Sequence, residues 1–154
     1  MARKTRSARR ILAKLRSSAD RRVLIEVAFL LPAVSLALRT IGWVQIQRLL
    51  DQKLSNPTRR SLEEARHLSA LVESMARRSP MQHHCLQRSV VLCRVLRRRG
   101  LEAELRLGVR REPAGERHFH AWVEHDGEVL NDVRHVRKLF TTFGAARRDQ
   151  EDSL

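Results

Sequence analysis

A change of hydrophobic period at Gly100 most constrains the fold of this chain. Across residues 85–100, apolar side chains recur at helical spacing. From Glu102 to Val109, apolar and polar residues alternate, which is typical of a strand with one solvated face. Gly100 suits the left-handed residue that ends a helix, and the basic run before it suits a helix C-terminus. The pattern predicts one helix followed directly by a sheet.

Two more strands are expected after this first one. Arg117–Glu124 alternates in the same way, and Glu128–Val133 follows it after a turn around Asp126-Gly127. The order indicates one α+β domain, in which the helix of residues 85–100 packs on a small antiparallel sheet.

The first half of the chain predicts helices only. Residues 21–50 carry apolar residues at helical spacing, and Pro32 is expected to kink this segment or to start a new helix. Ser61 with Glu64 forms a capping box that begins a helix ending near Arg77. With a polar linker at 51–57, we expect a basic tail and helical N-terminal subdomain over 1–60 and the core over 61–154.

The charge balance leaves two interpretations open. The 154 residues include 31 Lys and Arg against 17 Asp and Glu, a formal net charge of +14. Such an excess favours an acidic partner such as nucleic acid or an anionic membrane, or reflects an Arg-rich proteome. The scarcity of aromatic residues argues against base stacking, so no nucleic-acid partner is expected. Peripheral docking of the basic N-terminus on a membrane is the minority interpretation, beside a solvated tail.

The cysteines and the longest apolar run bear on localisation. Cys85 and Cys93 lie about two turns apart on one helix, too far for a disulfide, which favours a reducing, cytoplasmic compartment. The apolar run Val27–Leu38 has twelve residues and is too short to span a bilayer, which needs about 20. No signal peptide is recognisable.

Three residues in the second half suit nucleophilic catalysis. Cys85 is expected at the start of a helix, where free N–H groups and the helix dipole favour a thiolate and can hold an oxyanion. His120 lies in the second strand, and Asp132 follows it twelve residues later. A thiol, a base and a carboxylate that orients the base form the triad of a cysteine protease.

The turn between the second and third strands decides whether His120 and Asp132 meet. A three-residue turn at 125–127, with Gly127 left-handed, would set His120 directly opposite Asp132. A two-residue turn would instead place Asp132 opposite Ala121, on the other face of the sheet. We therefore predict the three-residue turn.

Each of these residues also has a structural interpretation. Taken singly, Cys85 could be a small buried hydrophobe, as we expect for Cys93, and Asp132 could belong to a polar strand end. Zinc ligands could come from a set of histidines and one cysteine, but the spacings of known zinc motifs are missing; the set is His83, His84, Cys85, His118 and His120. We expect no metal and no cofactor.

Several short motifs resemble the transglutaminase-like leader peptidases of lasso-peptide biosynthesis. They are C-L-x-R-S from Cys85, L-R-R-R-G ending at Gly100, G-V-R at 108–110, H-A-W-V-E from His120, and N-D at 131–132. The resemblance covers residues 61–135 and implies a papain- or transglutaminase-like core. In it Cys85 would be the nucleophile, His120 the base and then the acid, and Asp132 the orienting carboxylate. Arg88 and Ser89 match the motif without an assigned catalytic role.

The resemblance also implies partners. Its members cleave the leader from a ribosomally made precursor peptide, after which an asparagine-synthetase-like cyclase closes a macrolactam. Some members carry a fused, mainly β leader-binding module, which the helical pattern of residues 1–60 does not fit. This chain therefore resembles the split form, which works with a separate leader-binding protein. The alternatives kept open are a transglutaminase-type acyl transferase and a basic binding module with a degenerate site.

Overall fold

The computed structural model describes residues 18–50, 61–79, 84–113 and 115–143 of the chain. These residues form five helices and four strands. In chain order they are α1 (Ser18–Thr40), α2 (Gly42–Leu50), α3 (Leu62–Arg78), α4 (Cys85–Arg97), β1 (Glu104–Arg111), β2 (Arg117–His125), β3 (Glu128–Val129), α5 (Val136–Leu139) and β4 (Thr141–Phe143).

The strands form an antiparallel sheet in the order β3-β2-β1-β4. Helix α4 packs on this sheet, because Val91 and Val95 share one buried cluster with Val123 of β2. The predicted α+β fold, with a cysteine-bearing helix on a small antiparallel sheet, is confirmed.

One hydrophobic core joins the first helices to this helix–sheet unit. Val27 and Leu31 of α1 lie in the same cluster as Leu68 and Val72 of α3 and as the apolar face of α4. The described part of the N-terminal helical segment thus packs against the rest of the fold. The subdomain boundary predicted at residue 60 and the predicted linker at 51–57 lie outside the described residues, as does the basic segment 1–17.

Helix α1 runs through Pro32 without ending, so the prediction that Pro32 starts a new helix was wrong. Pro32 and Ala28 are both exposed, and the carbonyl that loses its N–H partner at a proline can then be solvated. The break comes later, at Gly42, whose φ of 77° separates α1 from α2. The continuous helix is longer than the twelve-residue run suggested, and by length and composition alone it could cross a membrane.

The ends of α3 and α4 follow the sequence signals. Ser61 caps α3 and its side chain accepts a hydrogen bond from the Glu64 N–H at 3.3 Å, as the capping box predicts. Helix α4 begins at Cys85, and the chain leaves it through Gly100, whose φ is 79°. The thiol of Cys85 therefore lies at the N-terminal end of a helix.

The hairpin between β2 and β3 has a two-residue turn, so the predicted three-residue turn was wrong. His125 pairs with Glu128, and the turn residues Asp126 and Gly127 both have positive φ, 47° and 76°. His125 belongs to the strand because its ring is buried, 4% exposed, and its Nδ1 lies 2.5 Å from the Glu102 carbonyl oxygen. Strand β3 is also shorter than the expected 128–133, since its ladder ends at Val129.

Candidate active site

His120 and Asp132 meet even though the hairpin has the other register. Nε2 of His120 is hydrogen-bonded to Oδ2 of Asp132, and both side chains are about a fifth exposed. Oδ1 of Asp132 accepts a second bond from the Val133 N–H at 2.6 Å. Toward an ionised Asp132 the imidazole donates from Nε2, and in that tautomer of the neutral ring Nδ1 is the unprotonated nitrogen.

The chain brings Asp132 to this place by leaving the strand after Val129. The Leu130 N–H still bonds to the Val123 carbonyl at 3.0 Å. The next contact is made by a side chain: Oδ1 of Asn131 accepts from the Val123 N–H at 2.8 Å. The strand alternation stops there, so Asp132 need not lie on the face that the two-residue turn would give it.

Helix α4, which begins at Cys85, contacts the strand that carries His120. Cys85 is the first residue of the helix and is half-buried, and the first backbone N–H groups of the helix have no acceptor within it. One turn further on, Ser89 Oγ donates to the Ala121 carbonyl at 3.0 Å, beside His120 in the chain. One helical turn rises about 5.4 Å, so Cys85 begins the helix about one turn before the residue that contacts β2. Within the described residues, no hydrogen bond joins Cys85 Sγ to His120.

Ser89 and Asn131 tie the three candidate residues together. Ser89 is fully buried, and its Oγ also accepts from Nδ2 of Asn131 at 2.9 Å. Asn131 therefore bonds both to α4 and to β2, directly before Asp132. In sequence it stood out only as half of the N-D motif, and Ser89 only as part of C-L-x-R-S. Their shared position around Ala121 became visible only in three dimensions.

Two aromatic rings fix the histidine plane. Phe140 stacks on His120 with centroids 5.1 Å apart, and Trp122 lies on the same strand face at 6.3 Å. Gly108 pairs with His120 across the ladder and leaves room for both rings. Phe140 was not predicted as part of the site, because it lies beyond β3 in a stretch without strong periodicity. The packing restricts how the imidazole can rotate.

Glu124 holds the indole of Trp122 by a hydrogen bond. Its Oε1 accepts from Trp122 Nε1 at 2.8 Å and from Arg137 Nε at 2.6 Å, while its Oε2 accepts from Arg106 Nε at 3.2 Å. Burial alone would raise the pKa of Glu124, but these donors and the two guanidinium charges lower the pKa below its ordinary value. Glu124 is thus a buried carboxylate that stays ionised.

The remaining residues singled out in the sequence have structural surroundings. Arg88 donates from Nη1 to Glu73 Oε2 at 2.9 Å, an ion pair between α3 and α4. Cys93 is fully buried in the core, as predicted, and both cysteines are free. Among the residues that the structure describes, no group of three or more His, Cys, Asp or Glu could hold a metal ion. His83, considered as a zinc ligand, lies outside that part of the chain.

Comparison with known proteins agrees with this architecture. A family model, described as the transglutaminase-like superfamily, matches residues 28–144. The microcin J25-processing protein McjB of Escherichia coli is 42% identical over 53 residues, which cover 34% of this chain and 24% of that relative. No solved structure matches the chain. The resemblance read from the motifs is confirmed, and the chain belongs to the transglutaminase-like superfamily.

Proposed function

We propose that this protein is a cysteine peptidase that removes the leader from a ribosomally made lasso precursor peptide. The observation that carries the proposal is the His120–Asp132 pair, joined through Ser89 and Asn131 to the helix that begins at Cys85. The relative is a processing protein for microcin J25, a lasso peptide, which favours a peptide precursor as the substrate class.

In the first step, His120 Nδ1 takes the proton of the Cys85 thiol, and the thiolate attacks the carbonyl carbon of the scissile peptide bond. The N–H groups in the first turn of α4 would stabilise the oxyanion. The C–N bond breaks, the amine of the core peptide leaves with the proton from His120, and the leader remains as a thioester on Cys85. Asp132 holds the imidazole tautomer and stabilises the imidazolium that forms between these events.

In the second step, water attacks the thioester while His120 takes its proton. The C–S bond breaks, the leader leaves with a carboxylate, and the thiol is regenerated. The new amine of the core peptide is the group that an asparagine-synthetase-like cyclase would use next. We propose a separate leader-binding protein as the partner that presents the precursor.

Cleavage by the purified full chain tests this function. The substrate is a lasso precursor peptide, a leader-binding protein is added, and the masses of the products are measured by mass spectrometry. We expect Cys85→Ala and His120→Ala to abolish cleavage while both variants keep the wild-type circular dichroism spectrum. Full cleavage by Cys85→Ala would exclude the proposed nucleophile.

Matched controls separate catalysis from a general loss of side chains. His118 precedes His120 by two residues on the same strand face, and Asp126 is an exposed aspartate of the same hairpin. We expect His118→Ala and Asp126→Asn to cleave at the wild-type rate, whereas Asp132→Asn is slowed.

Membership in the transglutaminase-like superfamily favours acyl transfer to an amine as the second candidate. Hydrolysis and acyl transfer differ in the nucleophile that attacks the thioester, which is water in the first and an amine in the second. In water enriched in oxygen-18, hydrolysis places the label in the new carboxylate of the leader. Acyl transfer instead gives an unlabelled amide to an added primary amine.

A further inference from the structure

Helix α1 presents large apolar side chains to solvent along one side. Phe29 is 73% exposed, Leu36 is 63% exposed and Ile25 is 59% exposed. We call these three residues, with Pro32 between them, the apolar face of α1. They follow one another at intervals of three or four residues, so they lie on one side of the helix. The face extends over about 17 Å at 1.5 Å per residue.

The opposite side of α1 packs in the core of the protein. Val23, Val27, Leu31 and Ser35 are buried there. Two further apolar residues follow α1: Ile41, 50% exposed, lies between the two helices, and Val44, 58% exposed, lies in α2. Exposure of an apolar surface of this length to water costs free energy. This cost indicates that the apolar face contacts another surface.

The charges around the apolar face are all positive. Arg21, Arg22 and Arg39 are exposed, and their helical positions lie within about 60° of the face on either side, at 100° per residue. The two acids of α1 are turned away from it. Asp20 is buried against His67, with Oδ1 2.9 Å from Nε2, and Glu26 is paired with Arg98 and Arg99. The described residues of α1 and α2 thus expose no acidic side chain.

We infer that the apolar face of α1 docks on the surface of an anionic lipid bilayer. A helix whose apolar stripe is flanked by arginines lies in the plane of the interface, where its apolar side chains enter the acyl boundary and its guanidinium groups reach the phosphates. The helix lies on the membrane and does not cross it, because Val27 and Leu31 remain in the protein core. The inference is independent of the chemistry at Cys85.

Sedimentation of the full chain with vesicles tests the inference. The probes are phosphatidylcholine vesicles alone and vesicles that also contain phosphatidylglycerol, in low and in high salt. We expect binding to the anionic vesicles that weakens as salt rises, and little binding to the neutral vesicles. Equal binding to both vesicle types, or binding to neither, would overturn the inference.

Substitutions locate the surface. Phe29→Ser is expected to weaken vesicle binding by about tenfold or more, since it removes one large side chain from the bilayer. The matched control is Phe119→Ser, because Phe119 is 60% exposed on the sheet, and this variant should bind like the wild type. The triple variant Arg21→Gln, Arg22→Gln and Arg39→Gln should also lose binding. A triple change of the exposed Arg111, Arg117 and Arg134 to Gln should lose less.

The same variants distinguish other occupants of the face. If Phe29→Ser turns a wild-type dimer into a monomer and neither form binds vesicles, a second copy of the chain covers the face and the inference is wrong. If the folded Phe29→Ser and Phe119→Ser variants bind anionic vesicles equally, the contact surface lies elsewhere and the inference is also overturned. Circular dichroism checks that each variant remains folded.

Discussion

Asn131 donates from Nδ2 to the Oγ of Ser89 at 2.9 Å, and this bond joins the bend that carries Asp132 to the helix that begins at Cys85. The same asparagine accepts from the Val123 N–H, so one side chain links helix, strand and bend. Ser89 completes the arrangement by donating to Ala121, next to His120. The relative positions of the three proposed catalytic residues therefore depend on two neutral side chains, the buried Ser89 and the partly buried Asn131.

Replacing Asn131 by alanine should impair catalysis more than folding. The Val123 N–H and the Ser89 hydroxyl lose a partner, which costs about 1–3 kcal/mol of unfolding free energy. Because a displacement of about 1 Å at a reacting group can cost 100-fold, we expect kcat for precursor cleavage to fall at least about tenfold, with a smaller change in KM. Urea unfolding and steady-state cleavage measure the two effects.

Ser69→Ala provides the control for this variant. Ser69 Oγ donates to the Leu130 carbonyl at 3.2 Å and so ties the same segment to α3, away from Cys85. Its loss should lower stability while kcat stays close to the wild-type value. If both variants lose kcat in proportion to stability, Asn131 only stabilises the fold and does not position the site.

Gly108→Ala should disturb the rings beside His120. A Cβ at this position would lie 2.7 Å from the Phe140 Cβ and 2.9 Å from Trp122 Cζ3, closer than side chains pack. The rings must move, and we expect a loss of about 1–3 kcal/mol in unfolding free energy together with slower cleavage. Thermal unfolding and a cleavage assay check this. An unchanged midpoint would show that Phe140 does not pack as described.

Glu124→Gln should change how stability depends on pH. The folded protein holds the pKa of Glu124 below its ordinary value, so ionised Glu124 stabilises the fold above the unfolded pKa of about 4.3. That contribution is lost as pH falls through the lower, folded pKa. The variant should therefore be less stable than the wild type at pH 7, by about 1–3 kcal/mol, and the difference should shrink in acid.

Unfolding midpoints measured from neutral to acidic pH test this dependence. Glu116→Gln, which removes one exposed carboxylate from the loop before β2, is the charge-matched control. Its curve should run parallel to that of the wild type. A difference between Glu124→Gln and the wild type that stays constant across the pH range would contradict the account.

Local signals predicted the elements that local energetics decide. The capping box at Ser61 and the left-handed Gly100 depend on residues that are close along the chain. The start of α3 and the end of α4 are therefore at the predicted positions. Pro32 does not start a new helix, because the cost of a proline in a helix depends on what faces the carbonyl one turn earlier. Exposure of Ala28, a tertiary property, decides that cost.

The pair His120 and Asp132 was predicted for a reason that the structure does not support. Asp-Gly fits both turn lengths, and the buried ring of His125, held by the Glu102 carbonyl, selects the two-residue turn. The pair still forms because Asn131 ends the ladder with its side chain. Neither contact can be inferred from alternation within one strand, since each depends on a residue from another element.

The reactivity of the Cys85 thiol tests the central claim most directly, because it needs no substrate. Iodoacetamide reacts with the thiolate only. Peptide masses measured after digestion distinguish alkylation of Cys85 from alkylation of the fully buried Cys93. If Cys85, His120 and Asp132 act as one unit, alkylation of Cys85 at neutral pH should slow by about tenfold or more in His120→Ala and should be unchanged in His118→Ala. Equal alkylation rates for the wild type and His120→Ala would contradict the proposed triad.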